Sequence, residues 1–201
     1  MKRNFLRIIE REIPNDCVLI SVGLSGSSKT LVTEEISKIK GFQILRSDAI
    51  RPEVLKGENI FDEKVASDLE RRRKVYKEMF RRATDVLKAG GNGLILDATF
   101  FTQELRARAA ELSEKAHRPL VIVECVCTEK RSIQRILKRT KKNYESNALT
   151  LEAYLNNKAL FQPVDIIGLK KKFKTLPMIH LVIDTESDNA SDWKIKKIEK
   201  R

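Results

Sequence analysis

A short loop between an apolar segment and a helical pattern carries residue types that bind phosphate. Gly23, Lys29 and Thr30 match the pattern GxxxxGK[ST], and Ser28 occupies the position of its second glycine. In such a loop the backbone N–H groups point at phosphate oxygens, and the positive end of the next helix faces the same place. The lysine would bridge the β- and γ-phosphates of a nucleotide, and the threonine hydroxyl would ligate Mg²⁺. The residues that this pattern assigns to ATP are Gly23, Ser25, Gly26, Ser27, Ser28, Lys29 and Thr30.

The segments on both sides of this loop agree with a phosphate site. An apolar run, 18–22, precedes Gly23 as a buried strand requires, and apolar residues at helical spacing follow Thr30. An ordinary turn rich in small residues is the alternative. Ser28 departs from the pattern, and its side chain adds bulk where the backbone approaches phosphate, so we expect weaker ATP binding or slower turnover.

A second polar turn, 46–53, follows the next predicted strand, 42–45. Open α/β sheets place ligand chemistry beyond the carboxyl ends of their strands, where Asp48 lies with Arg51 one helical turn further on. The carboxylate can accept the proton of an acceptor hydroxyl, and the guanidinium can hold an anionic group. Asp48 could instead be the N-cap of a helix. Its place beside a phosphate loop favours catalysis.

The third predicted strand, 94–96, delivers Asp97 at its carboxyl end. An acid at that position can serve a Mg²⁺ ion or a water molecule beside the phosphate loop. A structural aspartate that caps the next turn is the alternative.

Arginines recur every four residues after the fourth predicted strand, at Arg131, Arg135 and Arg139. This spacing puts them on one helix face, where their charges repel unless they meet anions. In a phosphotransferase such a helix forms a lid that neutralises the transferred phosphoryl group. A solvated basic helix is the alternative. The arginine-rich stretch 61–88, predicted as one long helix, favours a solvated face over a basic track for a polyanion.

The 201-residue chain carries 40 Lys and Arg against 28 Asp and Glu, a net charge of +12. This balance suits a polyanionic ligand such as nucleic acid, but a surface of the kind that thermophiles use explains it almost as well. Three cysteines that lack a Cys-x-x-Cys pair or a histidine partner predict core thiols. We expect a cytoplasmic protein, because the chain shows no signal peptide and no apolar membrane span.

Five predicted strands alternate with helices, which implies a doubly wound parallel α/β sheet. We expect one domain over residues 1–201. Its predicted parts are a lead helix in 1–14, a family-like core in 16–165, a lid in 128–148, and a last strand and a helix containing Trp193 in 166–201. A basic loop, 170–174, precedes that last strand.

The segments GLSGSSKT (23–30), RSDAIR (46–51) and LILDATF (94–100), together with the arginine-spaced lid, resemble the small P-loop kinases of the AAA-type predicted-kinase group. This group is similar to the 5′-kinase domain of polynucleotide kinase and, more distantly, to zeta-toxin and chloramphenicol phosphotransferase. The resemblance covers residues 16–165. It implies a P-loop NTPase fold with a parallel five-stranded sheet in the order 2-3-1-4-5, flanked by helices, and a helical lid that bears arginines.

The resemblance also implies roles for single residues. Asp48 would be the general base, Arg51 would contact an acceptor phosphate, and Arg135 or Arg139 would be the lid arginine. The catalytic residues that follow are Lys29, Asp48, Arg135 and Arg139. The acceptor-binding residues are Asp48, Arg51, Asp97 and Arg106, and the Mg²⁺ ligands are Thr30 and Asp97.

The expected reaction is transfer of the γ-phosphate of ATP to a hydroxyl group. The first candidate acceptor is the 5′-hydroxyl of RNA or DNA, with a small molecule or a nucleoside close behind. A nucleotide-binding module without kinase activity is a third hypothesis, which Ser28 motivates. The sequence leaves the oligomeric state open.

Overall fold

The computed structural model describes residues 3–138 and 150–201. The strands are β1 (Val18–Val22), β2 (Gln43–Arg46), β3 (Leu94–Asp97), β4 (Leu120–Val126), β5 (Met178–Asp184) and β6 (Lys194–Lys200). The helices are α1 (Arg3–Glu12), α2 (Lys29–Lys40), α3 (Ser47–Val54), α4 (Glu63–Ser67), α5 (Leu69–Ala89), α6 (Gln103–Lys115), α7 (Glu129–Leu137), α8 (Leu151–Leu160) and α9 (Ile166–Lys172). A short 3₁₀ helix, Ala190–Asp192, precedes β6.

The strands form a single sheet in the order β2-β3-β1-β4-β5-β6. The first five are parallel, which confirms the predicted order 2-3-1-4-5. The sixth strand is antiparallel to β5, so the predicted C-terminal helix containing Trp193 is wrong. Ile195 and Ile198 are spaced by three residues, as in a helix, but a bulge in the pairing places them opposite Ile183 and Leu181 on one face of the sheet.

The sheet is buried on both faces, which is why its central strands are continuously apolar rather than alternating. One face packs under α5, α6 and α9, with Met79, Ala109 and Leu169 in its core. The other face packs under α1 and α2, with Ile9 and Ile36 in its core. Because β1 is in parallel register with both β3 and β4, the loops that follow these strands meet at one edge of the sheet.

Several predicted elements differ in detail. The single helix predicted over 61–88 is two helices, because Asp68 ends α4 and caps α5 by accepting a hydrogen bond from the Arg71 N–H at 2.7 Å. The predicted basic loop, 170–174, lies largely in α9. The predicted lid, 128–148, begins with α7, whereas its residues 139–148, including Arg139, lie outside the described residues.

Within residues 3–138 and 150–201, no helix has both the length and the apolar character needed to cross a membrane. Cys17, Cys125 and Cys127 are free thiols. Burial raises the pKa of Cys17 and of Cys125 to about 12, as expected for core thiols, whereas Cys127 is only half-buried.

Candidate active site

A cavity of about 400 Å³ lies at the carboxyl edge of the sheet. Its walls are the loops that follow β1, β2 and β3, together with parts of α4, α5, α7 and α8. The predicted site residues that line it are Ser25, Gly26, Ser28, Lys29, Thr30, Asp48, Arg51, Asp97 and Arg135. The fold therefore brings together residues that lie more than 100 positions apart in the chain.

The phosphate loop, residues 23–30, joins β1 to α2. Gly23 and Gly26 both have positive φ angles, of 145° and 82°. A Cβ atom at Gly23 would collide with the Cys125 carbonyl oxygen, and one at Gly26 would collide with the backbone of Ser132 in α7. Both glycines are thus required for the loop to pack against β4 and α7.

Ser28 has a left-handed backbone, with φ 55° and ψ 27°, directly before α2. This conformation explains why the pattern has a glycine here, since a residue with a Cβ atom pays about 1 kcal/mol to adopt it. The Ser28 side chain makes no capping hydrogen bond to the helix. The phosphate loop thus adopts this left-handed conformation with serine in place of glycine, and no capping bond from the serine compensates for the cost.

Three side chains from distant elements hold the phosphate loop. Arg135 Nη1 in α7 donates to the Gly26 carbonyl at 3.2 Å, and Asn157 Nδ2 in α8 donates to Ser25 Oγ at 3.1 Å. Thr185, just after β5, donates its hydroxyl to the Ser27 carbonyl at 3.0 Å. Sequence reasoning missed Asn157 and Thr185, since neither belongs to a pattern that the sequence displays.

Lys29 and Thr30 begin α2, so the helix N-terminus faces the cavity. Lys29 Nζ donates to the Leu24 carbonyl at 2.9 Å, across the loop. This contact keeps the ammonium group next to the backbone N–H groups that precede α2. The arrangement can bind an anion through a lysine, backbone donors and the helix dipole together.

Asp97 lies at the end of β3 and is almost completely buried, with 3% of its side chain exposed. Its Oδ1 accepts from the Ser21 hydroxyl at 2.9 Å, and its Oδ2 accepts from Arg46 Nε at 3.1 Å. Arg46 also binds Glu34 at 2.8 Å. Burial acts to lower the pKa of Arg46, but the hydrogen bond to Glu34 and the charge of Asp97 outweigh it and raise that pKa.

The residues present fit a magnesium ion that arrives with a nucleotide. The Thr30 hydroxyl and the Asp97 carboxylate line the same cavity, and both are oxygen donors. Among the described residues, no group of three or more His, Cys, Asp or Glu could hold a metal ion by itself. Magnesium is commonly held by one or two protein oxygens while phosphates and water complete its shell.

Asp48 and Arg51 also line the cavity. The helix α3 begins at Ser47 and its N-cap is Arg46, so the alternative of Asp48 as the N-cap is wrong. Asp48 lies in the first turn of α3, and Arg51 lies one turn further on. Arg51 is 9% exposed, and its buried Nε and Nη1 have no hydrogen-bond partner in the part of the chain that the structure describes.

Arg72 is a further cavity residue, which sequence reasoning placed on a solvated helix face. It is 9% exposed, its Nε donates to the Ala66 carbonyl at 2.8 Å, and its guanidinium lies 5.5 Å from the Phe101 ring centroid. The spacing of Arg72 with the buried Tyr76 and Met79 puts it on the apolar face of α5, and this was the signal that could have identified it.

Arg106 requires a correction. It was predicted to bind the acceptor, yet it is fully buried and is not part of the cavity lining. Its guanidinium donates to the carbonyls of Phe100 at 2.9 Å, Pro163 at 2.7 Å and Gln162 at 2.6 Å. Burial lowers the pKa of Arg106 to about 10. Arg106 therefore joins the segment before α9 to the loop after β3 through hydrogen bonds. Its donors are used by backbone carbonyls, so they do not serve an acceptor.

Of the two predicted lid arginines, Arg135 lies within the described residues, in α7. Besides Gly26, its guanidinium donates to the carbonyl of Thr185 at 2.7 Å and to the carboxylate of Asp188 at 2.8 Å. Asp188 also pairs with Arg131 at 2.8 Å. The hydrogen bond from Arg135 lowers the pKa of Asp188, and the positive charges of Arg135 and Arg131 lower it further. Arg135 thus joins α7, the loop after β5 and the phosphate loop at the cavity wall.

The other arginines of α5 are ion-paired on the surface. Arg71 pairs with Glu58, Arg73 with Glu70, Arg81 with Glu78 and Asp85, and Arg82 with Glu53 and Glu78. This pairing supports the solvated face that the sequence favoured. It argues against a basic track for a polyanion on α5, since the charges of these four arginines are already paired.

A model of the AAA domain family matches residues 18–164 of the chain. Among solved structures, the PezAT toxin–antitoxin system of Streptococcus pneumoniae superposes with a TM-score of 0.61 at 14% identity, covering 98% of this chain and 77% of that chain. A sugar kinase from Janibacter sp. HTCC2649 gives 0.59 at 18% identity, covering 86% of each chain. A gluconokinase from Sinorhizobium meliloti 1021 gives 0.57 at 14% identity, covering 87% of this chain and 86% of that chain.

At these identities the likeness concerns the fold, and it includes the parallel sheet with flanking helices. No protein with a curated description matches the chain significantly in sequence. The family match includes the phosphate loop, α3, Asp97 and α7, and it covers nearly all of the predicted core, 16–165.

Proposed function

We propose, from the premise that this chain belongs to the AAA domain family, that it is a kinase which transfers the γ-phosphate of ATP to a hydroxyl group. One observation carries the proposal. The phosphate loop, the carboxylate of Asp48 and the guanidinium of Arg135 line one cavity. A phosphoryl donor site, a base and a cation for the transferred group are thus within reach of each other.

The residues divide the reaction between them. Lys29 and the backbone N–H groups before α2 bind the phosphate tail and orient it. Asp48 holds the acceptor hydroxyl and takes its proton as the oxygen attacks the phosphorus. Arg135, whose three nitrogens bond Asp188, Gly26 and Thr185 at the cavity wall, stabilises through its positive charge the negative charge that develops on the phosphoryl oxygens. A Mg²⁺ ion held by Thr30 and Asp97 would neutralise charge on the phosphates when it is bound with the nucleotide.

The acceptor has two candidates. A small hydroxyl compound fits the cavity of about 400 Å³, which lies in the range of pockets that enclose small ligands. The 5′-hydroxyl of RNA or DNA is the second candidate, and the net charge of +12 favours it. The paired arginines of α5 weaken that second candidate, so we give preference to a small acceptor.

The test is a transfer assay with γ-labelled ATP against nucleosides, sugars, their phosphates and an oligonucleotide with a 5′-hydroxyl. Lys29→Ala and Asp48→Asn are each expected to abolish transfer, and Asp48→Asn is expected to leave ATP binding nearly intact. Arg73→Ala, on the exposed face of α5, is the control and should behave as wild type. Wild-type transfer by Asp48→Asn would remove the base role. ATP binding without transfer to any acceptor would favour the nucleotide-binding module.

We assign the reaction to the cytoplasm, where ATP and Mg²⁺ are supplied and where thiols such as those of Cys17, Cys125 and Cys127 stay reduced.

A further inference from the structure

The side chain of Arg46, at the end of β2, joins three elements that build the cavity. Its Nε donates to Asp97 Oδ2 of β3 at 3.1 Å, and its Nη2 donates to Glu34 Oε1 of α2 at 2.8 Å. Arg46 is also the N-cap residue of α3, the helix that carries Asp48. One residue therefore connects the helix after the phosphate loop, the strand that ends in Asp97 and the start of α3.

The register of the sheet explains why Arg46 meets Asp97. The two residues are paired directly across the parallel strands β2 and β3. Ile44 and Ile95 precede them by two positions and pack on the α2 side of the sheet. Because residues two apart in a strand share a face, Arg46 and Asp97 also lie on the α2 side, at the place where both strands end.

Glu34 extends this contact to the phosphate-binding end of α2. It follows Thr30 by four residues, so the two share one face of that helix. Arg46 lines the cavity, and the Asp97 carboxylate that it bonds is buried. A buried carboxylate is costly without a bonded cation, and Arg46 supplies that cation inside the site.

We infer that Arg46 is a positioning residue, which fixes the ATP-binding half of the site on α2 relative to the acceptor half on α3 and β3. This inference rests on the proposed function. Phosphoryl transfer requires the two halves to be placed within about 0.5 Å of the productive geometry. The phosphate loop has its own bonds from Arg135, Asn157 and Thr185, so loss of Arg46 should leave ATP binding intact while the relative placement of the halves is loosened.

The test is Arg46→Met in the labelled-ATP transfer assay at saturating Mg²⁺. We expect kcat to fall about 10- to 100-fold, because a misplacement of about 1 Å can cost this much, while KM for ATP and KM for the acceptor change less than about twofold. Saturating Mg²⁺ is needed because the loss of a positive charge beside Asp97 by itself favours cation binding. A raised KM for either substrate at unchanged kcat would overturn the inference.

Arg82 provides the matched control. Its guanidinium also joins two carboxylates, Glu53 of α3 at 2.6 Å and Glu78 of α5 at 2.8 Å, and its side chain is 30% exposed against 28% for Arg46. Arg82 does not line the catalytic cavity. Arg82→Met should therefore lose ion pairs of the same kind and keep the wild-type kcat. An equal fall of kcat in the two variants would contradict a positioning role that is particular to Arg46.

Variants of the partners locate the effect. Glu34→Gln should lower kcat less than Arg46→Met does, because Arg46 keeps its bond to Asp97. The double variant Glu34→Gln/Arg46→Met should match Arg46→Met alone, since Glu34 acts through the arginine. Arg46→Lys keeps the charge but lacks the fork that spans two carboxylates, so it should recover only part of kcat. Additive losses in the double variant would show that Glu34 acts independently of Arg46.

Amide hydrogen exchange, followed by mass spectrometry, separates failure of this inference from failure of the proposed function. In Arg46→Met the segments 43–50 and 94–100 should exchange faster, whereas 23–30 should exchange as in wild type. This pattern, if Arg82→Met does not share it, supports the positioning role even when no acceptor is phosphorylated. Unchanged kcat in Arg46→Met, where wild type transfers phosphate, refutes the positioning role alone.

Discussion

The hydroxyl of Ser21 in β1 lies 2.9 Å from Oδ1 of Asp97 in β3 and 3.0 Å from the Ala98 carbonyl. Ser21 Oγ also accepts from the Ala98 N–H at 3.2 Å. One buried hydroxyl thus fixes the acid at the end of β3 against the strand that leads into the phosphate loop.

Ser21→Ala tests that contact. The variant leaves the buried carboxylate and backbone of β3 short of hydrogen bonds, so the free energy of unfolding should fall by about 1–3 kcal/mol in urea denaturation. The Mg²⁺ concentration that gives half-maximal transfer should rise, because Asp97 is less well held. Ser113→Ala is the control: the Ser113 hydroxyl is buried without a partner among the described residues, and its removal should cost little. Equal losses in the two variants would contradict the role of Ser21.

Ser28→Gly tests the strain in the phosphate loop. Since Ser28 has φ 55°, glycine should raise the free energy of unfolding by about 1 kcal/mol, measured in urea. Gly41 ends α2 with φ 68° and has room for a side chain. Gly41→Ser, the reverse substitution at a second left-handed position, is the control and should lower the free energy of unfolding by a similar amount. Transfer by Ser28→Gly should equal or exceed that of wild type. A loss of stability in Ser28→Gly would show that the serine side chain stabilises the loop.

Arg106→Lys separates a structural role from acceptor binding. A lysine cannot reach the three carbonyls that Arg106 holds, so the free energy of unfolding should fall by about 2–4 kcal/mol. At a temperature where the variant is folded, KM for the acceptor should be unchanged. A raised KM at unchanged stability would return Arg106 to the acceptor site.

The buried thiols predict a dependence of stability on pH. The pKa of Cys17 and of Cys125 is raised from 9.0 to about 12, so both thiols ionise on unfolding above pH 9 but stay protonated in the folded protein. Their contribution is complete below pH 9 and declines as pH rises toward 12, by up to about 1.4 kcal/mol per pH unit for each thiol.

Urea denaturation between pH 8 and 10 measures this decline. In Cys125→Ala the slope of the free energy of unfolding against pH should fall by about half. In the double variant Cys17→Ala/Cys125→Ala most of this slope should disappear. A slope unchanged in the double variant would mean that other groups cause the decline.

Features that depend on neighbouring residues in the chain were predicted from the sequence, whereas features that depend on contacts between distant residues were missed. The phosphate loop was predictable because its glycines, Lys29 and Thr30 lie within eight consecutive residues and all serve the same local backbone conformation. Asp48 and Asp97 were predictable because each lies at or just beyond the carboxyl end of a predicted strand, and parallel strands end at one edge of the sheet. Arg72 could have been predicted from its position on the apolar face of α5, but its charge was taken as a sign of exposure.

The sequence by itself determined the parallel sheet, its phosphate loop and the acids at the ends of β2 and β3, because strand patterns and short motifs depend on neighbours in the chain. Only the tertiary structure decided which arginines face the cavity. Arg51 and Arg72 lie in it, Arg106 is used by backbone carbonyls, and those on the surface of α5 are ion-paired. The burial of an arginine and its bonding partners are determined by residues far apart in the chain. Because an arginine carries the same charge in each of these environments, its residue type alone does not distinguish them.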